Sequence, residues 1–128
     1  MIYLIEARHT NGRLDLHVLD WWNLLGLACQ YGWRPAEGVE HYLYEASFIP
    51  GAVSQDIAEA LKKALPHLPE EEGPRVRTAS ASLRGIAGPV PRGPYEDPRD
   101  HFGGKRKWLV GEFIELCQKG ILDIRKMT

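Results

Sequence analysis

Asp20-Trp21-Trp22-Asn23-Leu24-Leu25-Gly26-Leu27-Ala28-Cys29-Gln30-Tyr31-Gly32-Trp33 is the stretch that decides the fold. Asp20 suits an N-cap, because its carboxylate can accept backbone N–H groups of the first turn. Gly32 suits the left-handed position just past the last helical residue, where a side chain would be strained. Between them only Asn23 and Gln30 are strongly polar. A surface helix carries a wide polar face and this one has none, so the stretch predicts a helix at the centre of the core. A Schellman turn at Gly32 would bring Trp33 back onto Ala28. Gly26 inside the helix costs about 1 kcal/mol relative to alanine, which predicts a close neighbouring backbone. Trp21 and Trp22 read as core residues, with a ligand pocket as the alternative. Cys29 reads as a small buried hydrophobe.

Upstream, residues 2–8 and 13–18 read as two strands joined at Asn11-Gly12, a strong short hairpin signal. A two-residue turn there would set Arg8 opposite Asp15, Ala7 opposite Leu16, Glu6 opposite His17 and Ile5 opposite Val18. Ile5, Ala7, Leu14, Leu16 and Val18 would share the buried face, and unlike charges would pair on the other.

Downstream, Tyr42 and Tyr44 alternate with Leu43 and Glu45, which suggests a short strand. Ser54 is placed to cap a helix running to about Leu65, with Ile57, Leu61, Leu65 and Leu68 on one face. Pro66 and Pro69 stop it. From Pro69 to about Gly104, six prolines and several glycines forbid a long helix or central strand. Loops of that length in a compact domain are functional or disordered as a rule. A last helix is predicted from about Lys105 to Lys119, with Leu109, Val110, Phe113, Ile114, Leu116 and Cys117 as its buried stripe. Gly120 predicts a Schellman end with Ile121 against Leu116. Leu122 to Met127 then alternates like a strand able to join the hairpin. The expectation is one α+β domain over residues 1–128: an N-terminal hairpin, three helices with one buried at the centre, a short C-terminal strand and a long Pro/Arg-rich loop over 69–104.

Composition narrows the function classes. Hydrophobic residues at 44% and charged ones at 26% are ordinary for a soluble globular chain. No apolar run is long enough to span a bilayer. The N-terminus lacks a basic region followed by an apolar core and cleavage site. A cytoplasmic protein is therefore expected. Reduced thiols at Cys29 and Cys117 are the default, and a disulfide between them is unsupported. A net charge of −1 argues against a protein that binds nucleic acid with its whole surface. The histidines, His9, His17, His41, His67 and His101, fall in no metal-binding spacing, and no cofactor is implied. No nucleophile elbow or phosphate-binding loop of the Gly-x-x-x-x-Gly-Lys type occurs. Gly103-Gly104 before Lys105-Arg106-Lys107 could hold an anion at a helix start, although a hinge followed by a solvated basic turn is the simpler reading.

The charge pattern says more. Between Gly73 and Trp108 stand eight basic residues, Arg75, Arg77, Arg84, Arg92, Arg99, Lys105, Arg106 and Lys107, against Glu96, Asp97 and Asp100. That segment carries +5 and the rest of the chain −6. Such asymmetry suggests an oriented meeting with an anionic partner, and the arginine fork suits carboxylate or phosphate. The competing reading is that these residues pair with the chain's own acids, Glu70, Glu71 and Glu72 among them.

Trp22-Asn23-Leu24-Leu25-Gly26-Leu27-Ala28 followed by Tyr31-Gly32-Trp33-Arg34-Pro35 resembles a family of small uncharacterised bacterial proteins. In that family a helix with Trp and paired leucines runs into Tyr-Gly-Trp-x-Pro. Its later Val-x-x-x-Asp-Ala helix is echoed by Val53-Ser54-Gln55-Asp56-Ile57-Ala58. Its closing Phe-x-x-Phe-Cys-x-x-Gly-Gly-Phe-x-Ile is echoed by Phe113 to Ile124. Leu116, Ile121 and Leu122 depart from the pattern and keep its apolar character. The resemblance covers the three helices and omits the Pro/Arg loop. It implies a shared fold and no reaction.

Two functions remain in view. The first is a non-enzymatic protein-interaction module, immunity- or inhibitor-like, meeting an acidic protein with Arg75, Arg77, Arg84, Arg92, Lys105, Arg106 and Lys107. The second is a small-ligand protein or enzyme with a pocket between the central helix and the loop, lined by Trp33, His41, Tyr42, Tyr44 and His101. Nucleic-acid binding through the basic loop comes third.

Overall fold

In the computed structural model, which describes residues 2–73 and 97–127, helices cover one face of a four-stranded antiparallel sheet. The strands are β1 (Ile2–Ala7), β2 (Arg13–His17), β3 (Phe48–Ile49) and β4 (Leu122–Met127), in the order β2-β1-β4-β3. The helices are α1 (Val18–Gln30), α2 (Gly51–Ala64), a single turn α3 (Pro98–His101) and α4 (Lys107–Cys117). The architecture is α+β, with the N-terminal hairpin extended by the C-terminal strand. Tyr3, Ile5, Ala7, Leu16, Leu122 and Ile124 point at the helices and are buried. Glu6, Arg13, Asp15, Asp123 and Arg125 occupy the open face, the division expected when one side of an antiparallel sheet meets water.

α1 is the core helix the sequence predicts. No residue in it is exposed, and Leu19, Trp21, Leu24, Leu25, Leu27 and Ala28 are buried. Its C-terminus is a Schellman turn: Gly32 has φ of 110°, Trp33 N–H donates to Ala28 O at 3.0 Å, and Gly32 N–H to Cys29 O at 3.3 Å. Its N-terminus begins earlier than predicted. His17 is the N-cap, taking the Leu19 N–H on Nδ1 at 3.1 Å, while Asp20 returns Oδ2 to the His17 N–H at 3.2 Å. This is a reciprocal capping box with Asp20 at its third position.

The hairpin register differs from the two-residue turn. Ile5 pairs with Leu14 and Glu6 with Arg13, and Ala7 N–H closes on Gly12 O at 2.9 Å. Arg8–Asn11 form the connection. Neither Asn11 nor Gly12 has positive φ, so the mirror-image turn that Asn-Gly favours is not made. Side chains lie over Gly12: a Cβ there would stand 2.8 Å from Leu116 Cδ1 and 2.9 Å from Lys119 Cδ, so those two side-chain ends would have to shift. The register moves by an even number of residues, so Ile5, Ala7, Leu14 and Leu16 keep the predicted face. Val18 leaves the strand to begin α1. Arg8 pairs with Asp123 of β4 instead of Asp15, Nη2 to Oδ1 at 2.7 Å.

Tyr42 and Tyr44 are not in a strand. His41–Glu45 form a π-helical turn closed by Ala46 N–H to His41 O at 2.8 Å. Tyr42 and Leu43 are both buried. Their carbonyls are taken by core aromatics, Tyr42 O by Trp21 Nε1 at 3.3 Å and Leu43 O by the Tyr3 hydroxyl at 3.2 Å. α2 starts a turn before Ser54. Pro50 is its N-cap, and Ser54 is buried inside it with its N–H already bonded to Pro50 O. The early start sets Gly51 against the backbone of Gly120, 3.9 Å from where its Cβ would stand. Gly120 has the expected positive φ, 106°, but the helix ends earlier than predicted, at Cys117, with Gln118 as C-cap and turn bonds from Lys119 N–H to Leu116 O and from Gly120 N–H to Cys117 O.

Cys29 and Cys117 are free thiols. Burial pushes Cys29 up to about 11 and Cys117 further.

Candidate functional site

The described parts of the Pro/Arg-rich segment, Pro69–Gly73 and Asp97–Lys107, cross one another beside α1. Gly104 N–H donates to Pro69 O at 3.1 Å. A Cβ on Gly103 would stand 2.2 Å from the Glu71 carbonyl oxygen, and one on Gly104, whose φ is 58°, 2.5 Å from Glu72 N. Two chains can cross this closely only where both residues lack side chains. Replacing Gly103 by alanine should therefore cost about 1–3 kcal/mol through overpacking against backbone, read as a drop in urea midpoint. Gly111, whose Cβ would meet nothing within 4 Å, is the matched control.

The basic triplet after the crossing is largely spoken for. Arg106 donates to Gly73 O and lies 3.9 Å from Glu72, and Lys107 Nζ is 3.0 Å from Glu70. Lys105 is exposed. Arg75, Arg77, Arg84 and Arg92 lie outside the described residues.

Asp97 anchors the returning chain. It is 1% exposed and accepts from Gln30 Nε2 at 3.0 Å, Arg99 N–H at 2.9 Å and Arg99 Nη2 at 2.6 Å. Burial alone would push its carboxyl up, but the Arg99 side chain and backbone and the Gln30 amide outweigh burial and hold it below the ordinary aspartate range. Four residues on, His101 Nε2 lies 2.8 Å from Asp20 Oδ1, fastening α3 to the first turn of α1. His101 is fully buried. Gly73 and Asp100 are neighbours: a Cβ on Gly73 would be 3.7 Å from Asp100 O.

Of the five residues expected to line one pocket, Trp33, His41 and Tyr42 adjoin one another, and Tyr44 and His101 stand apart. Trp33 and Tyr42 rings meet at 5.6 Å, and His41 and Tyr42 at 4.9 Å. His41 and Tyr42 line an open cleft of about 290 Å³ with Glu37, Glu45, Ser47 and Phe48. Burial, with the Glu37 carboxylate beside it, pushes the Tyr42 phenol up. Trp33 lines a different cleft of about 340 Å³ with Tyr31, Arg34, Asp56, Glu59 and Lys63. Tyr44 is exposed and packs edge-on against Trp22 at 6.3 Å. His101 belongs to the Asp20 pair and lines neither cleft. Among the described residues no group of three or more His, Cys, Asp or Glu is placed to hold a metal ion, and no helix is long and apolar enough to cross a membrane.

Comparison with protein-family models, curated proteins and solved structures finds no match to this chain. The geometry therefore has to speak alone. It adds two features that sequence reasoning missed. One is the Gln30–Asp97–Arg99 cluster, whose signal was Asp97-Pro98, an N-cap followed by proline at the first helical position. The other is Trp108, 62% exposed on α4. It sits at i to Glu112, Glu115 and Lys119 at i+4, i+7 and i+11, the solvent face of that helix.

Proposed function

We propose that this chain is a non-enzymatic cytoplasmic interaction module of the immunity or inhibitor kind, meeting the acidic surface of another protein with the segment between Gly73 and Lys107. The observation that carries this is the shared base of that segment. Gly73 abuts Asp100, and both ends are fastened, one under Gly103-Gly104 and the other by Asp97 to Gln30. Between these points residues 74–96 hold four arginines and one glutamate. Arg106 and Lys107 pair within the chain, so the proposal assigns the partner contact to Arg75, Arg77, Arg84, Arg92 and Lys105. Arginine is the residue most suited to bidentate capture of carboxylates. The family resemblance sits on helix caps and core positions, so it supports a shared fold and adds no chemistry.

Replacing Arg75, Arg77, Arg84 and Arg92 together by alanine should weaken capture of a protein partner from lysate by at least about tenfold, or ~1.4 kcal/mol. Capture is read by mass spectrometry at low and moderate salt. Unchanged capture overturns the reading. Capture that disappears with nuclease moves it to nucleic acid, with the steep salt dependence such binding shows.

A small-ligand reading keeps one specific support. Glu37, His41 and Tyr42 converge on the 290 Å³ cleft, where a few polar groups meet an aromatic wall. A thermal-shift screen that finds a ligand lost on Tyr42→Phe would favour it over the interaction module.

A further inference from the structure

The outer edge of β2 is complementary to itself. In an antiparallel ladder, residues alternate between those bonding one neighbour and those facing the other side. Ala7 N–H to Gly12 O sets the phase, so Gly12, Leu14 and Leu16 direct their backbone groups at β1. The other side of β1 agrees: Arg8 N–H bonds Ile121 O, which turns its even-numbered residues toward β4 and its odd ones toward β2. The N–H and C=O groups of Arg13 and Asp15 therefore point away from the sheet. Among the described residues no strand pairs with them. His17, next in phase, has its N–H committed to the Asp20 carboxylate.

We propose that β2 pairs antiparallel with β2 of a second copy of this chain, about a two-fold axis at Leu14, so that each Arg13 faces the other copy's Asp15. The backbone phase and the charges select this register together. Outward-facing groups must meet outward-facing groups, which limits the axis to Arg13, Leu14 or Asp15 once His17 is engaged. An axis at Arg13 sets arginine against arginine, and one at Asp15 sets aspartate against aspartate; like charges directly opposite are destabilising. The axis at Leu14 makes Arg13 and Asp15 the hydrogen-bonded pairs on both sides and brings unlike charges together twice. Within one copy these side chains already hold each other, Nε to Oδ1 at 3.1 Å, and both are well exposed. Leu14, half-buried, would meet its counterpart on the helix-covered face. A cleft of about 250 Å³ lined by Gly12, Arg13, Leu14, Glu112 and Glu115 leaves that side of the edge open. Charged side chains on an edge usually deter pairing with other sheets; here the spacing of two turns that guard into a code for one partner.

Sedimentation velocity of the full chain over a concentration series tests this. The wild type should associate reversibly to a dimer. Arg13→Asp and Asp15→Arg should each raise the midpoint concentration by at least about tenfold, and the double variant should restore it. Amide exchange at Arg13 and Asp15 should slow as protein concentration rises. A wild type that stays monomeric overturns the proposal. So do folded single variants that dimerise normally, a folded double variant that does not recover, or exchange at those two amides that ignores concentration.

Discussion

Trp21→Ala should destabilise the protein by about 3–5 kcal/mol, the range for removing a large aromatic from a packed core. Trp21 is fully buried. Its ring lies against Tyr3 at 5.7 Å in a stacked arrangement and edge-on to Phe113 at 5.8 Å, so it joins sheet, α1 and α4. Alanine leaves a cavity bounded by all three, and none of them can collapse inward without pulling on the others. The change also strips the Tyr42 carbonyl of its indole donor, and an unsatisfied buried carbonyl costs about 1–3 kcal/mol by itself. Trp21→Phe separates the two effects by keeping most of the volume and losing the N–H. Urea unfolding of the three proteins measures both. Trp108→Ala, on the solvent face of α4, should stay within about 0.5 kcal/mol of wild type. A Trp21→Ala loss no larger than that of Trp108→Ala would show that α1 is not the centre of the core.

Asp97→Ala should cost about 3–5 kcal/mol, because removing one member of a buried ion pair leaves the other uncompensated. The Arg99 guanidinium and the Gln30 amide would both lose their acceptor, and α3 would lose its N-cap. Asparagine preserves the shape and cap and loses the charge, so it should fall between. The acid limb of the stability curve isolates the carboxylate. The folded form holds Asp97 below its unfolded value of about 3.9. Its stabilisation is therefore complete above that pH and is lost as pH falls through the lower folded value. Asp123, held down by Arg8, is shifted in the same direction. The share of Asp97 is the difference between the wild-type and Asp97→Asn curves below about pH 4, measured by urea unfolding at several pH values. Parallel curves would mean that Asp97 contributes no charge-dependent stability.

Where local chemistry and tertiary demand coincide, the fold was legible. The core helix, its Gly32 turn, the faces of the hairpin strands and the last strand follow from periodicity and caps. The misreadings occur where a residue type answers a distant neighbour. Gly12 looked like a turn glycine, yet its φ is not positive and the Leu116 and Lys119 side chains lie over it. Ser54 looked like a cap and is buried inside a helix that starts earlier, at Gly51 after the N-cap Pro50. Tyr42 and Tyr44 alternate like a strand, and the π turn there depends on Trp21 and Tyr3 taking its carbonyls. Nothing in the spacing of residues 41–45 encodes donors that lie far upstream. The candidate site was legible as charge and not as geometry. The eight cations could be counted, but only coordinates show that Arg106 and Lys107 turn back onto Glu72 and Glu70. His101 looked like a pocket residue, and its Asp20 partner is 81 positions away.

The strand order β2-β1-β4-β3 sets a timetable for synthesis. β1 lies inside the sheet, and one of its two neighbours, β4, is made only after every described helix. On the ribosome the hairpin can close early, while the inner edge of β1 waits for β4 with Tyr3 and Ile5 beside it. Until β4 arrives, the hairpin presents the open β4-facing edge of β1, the kind of edge that chaperones and stray strands both recognise.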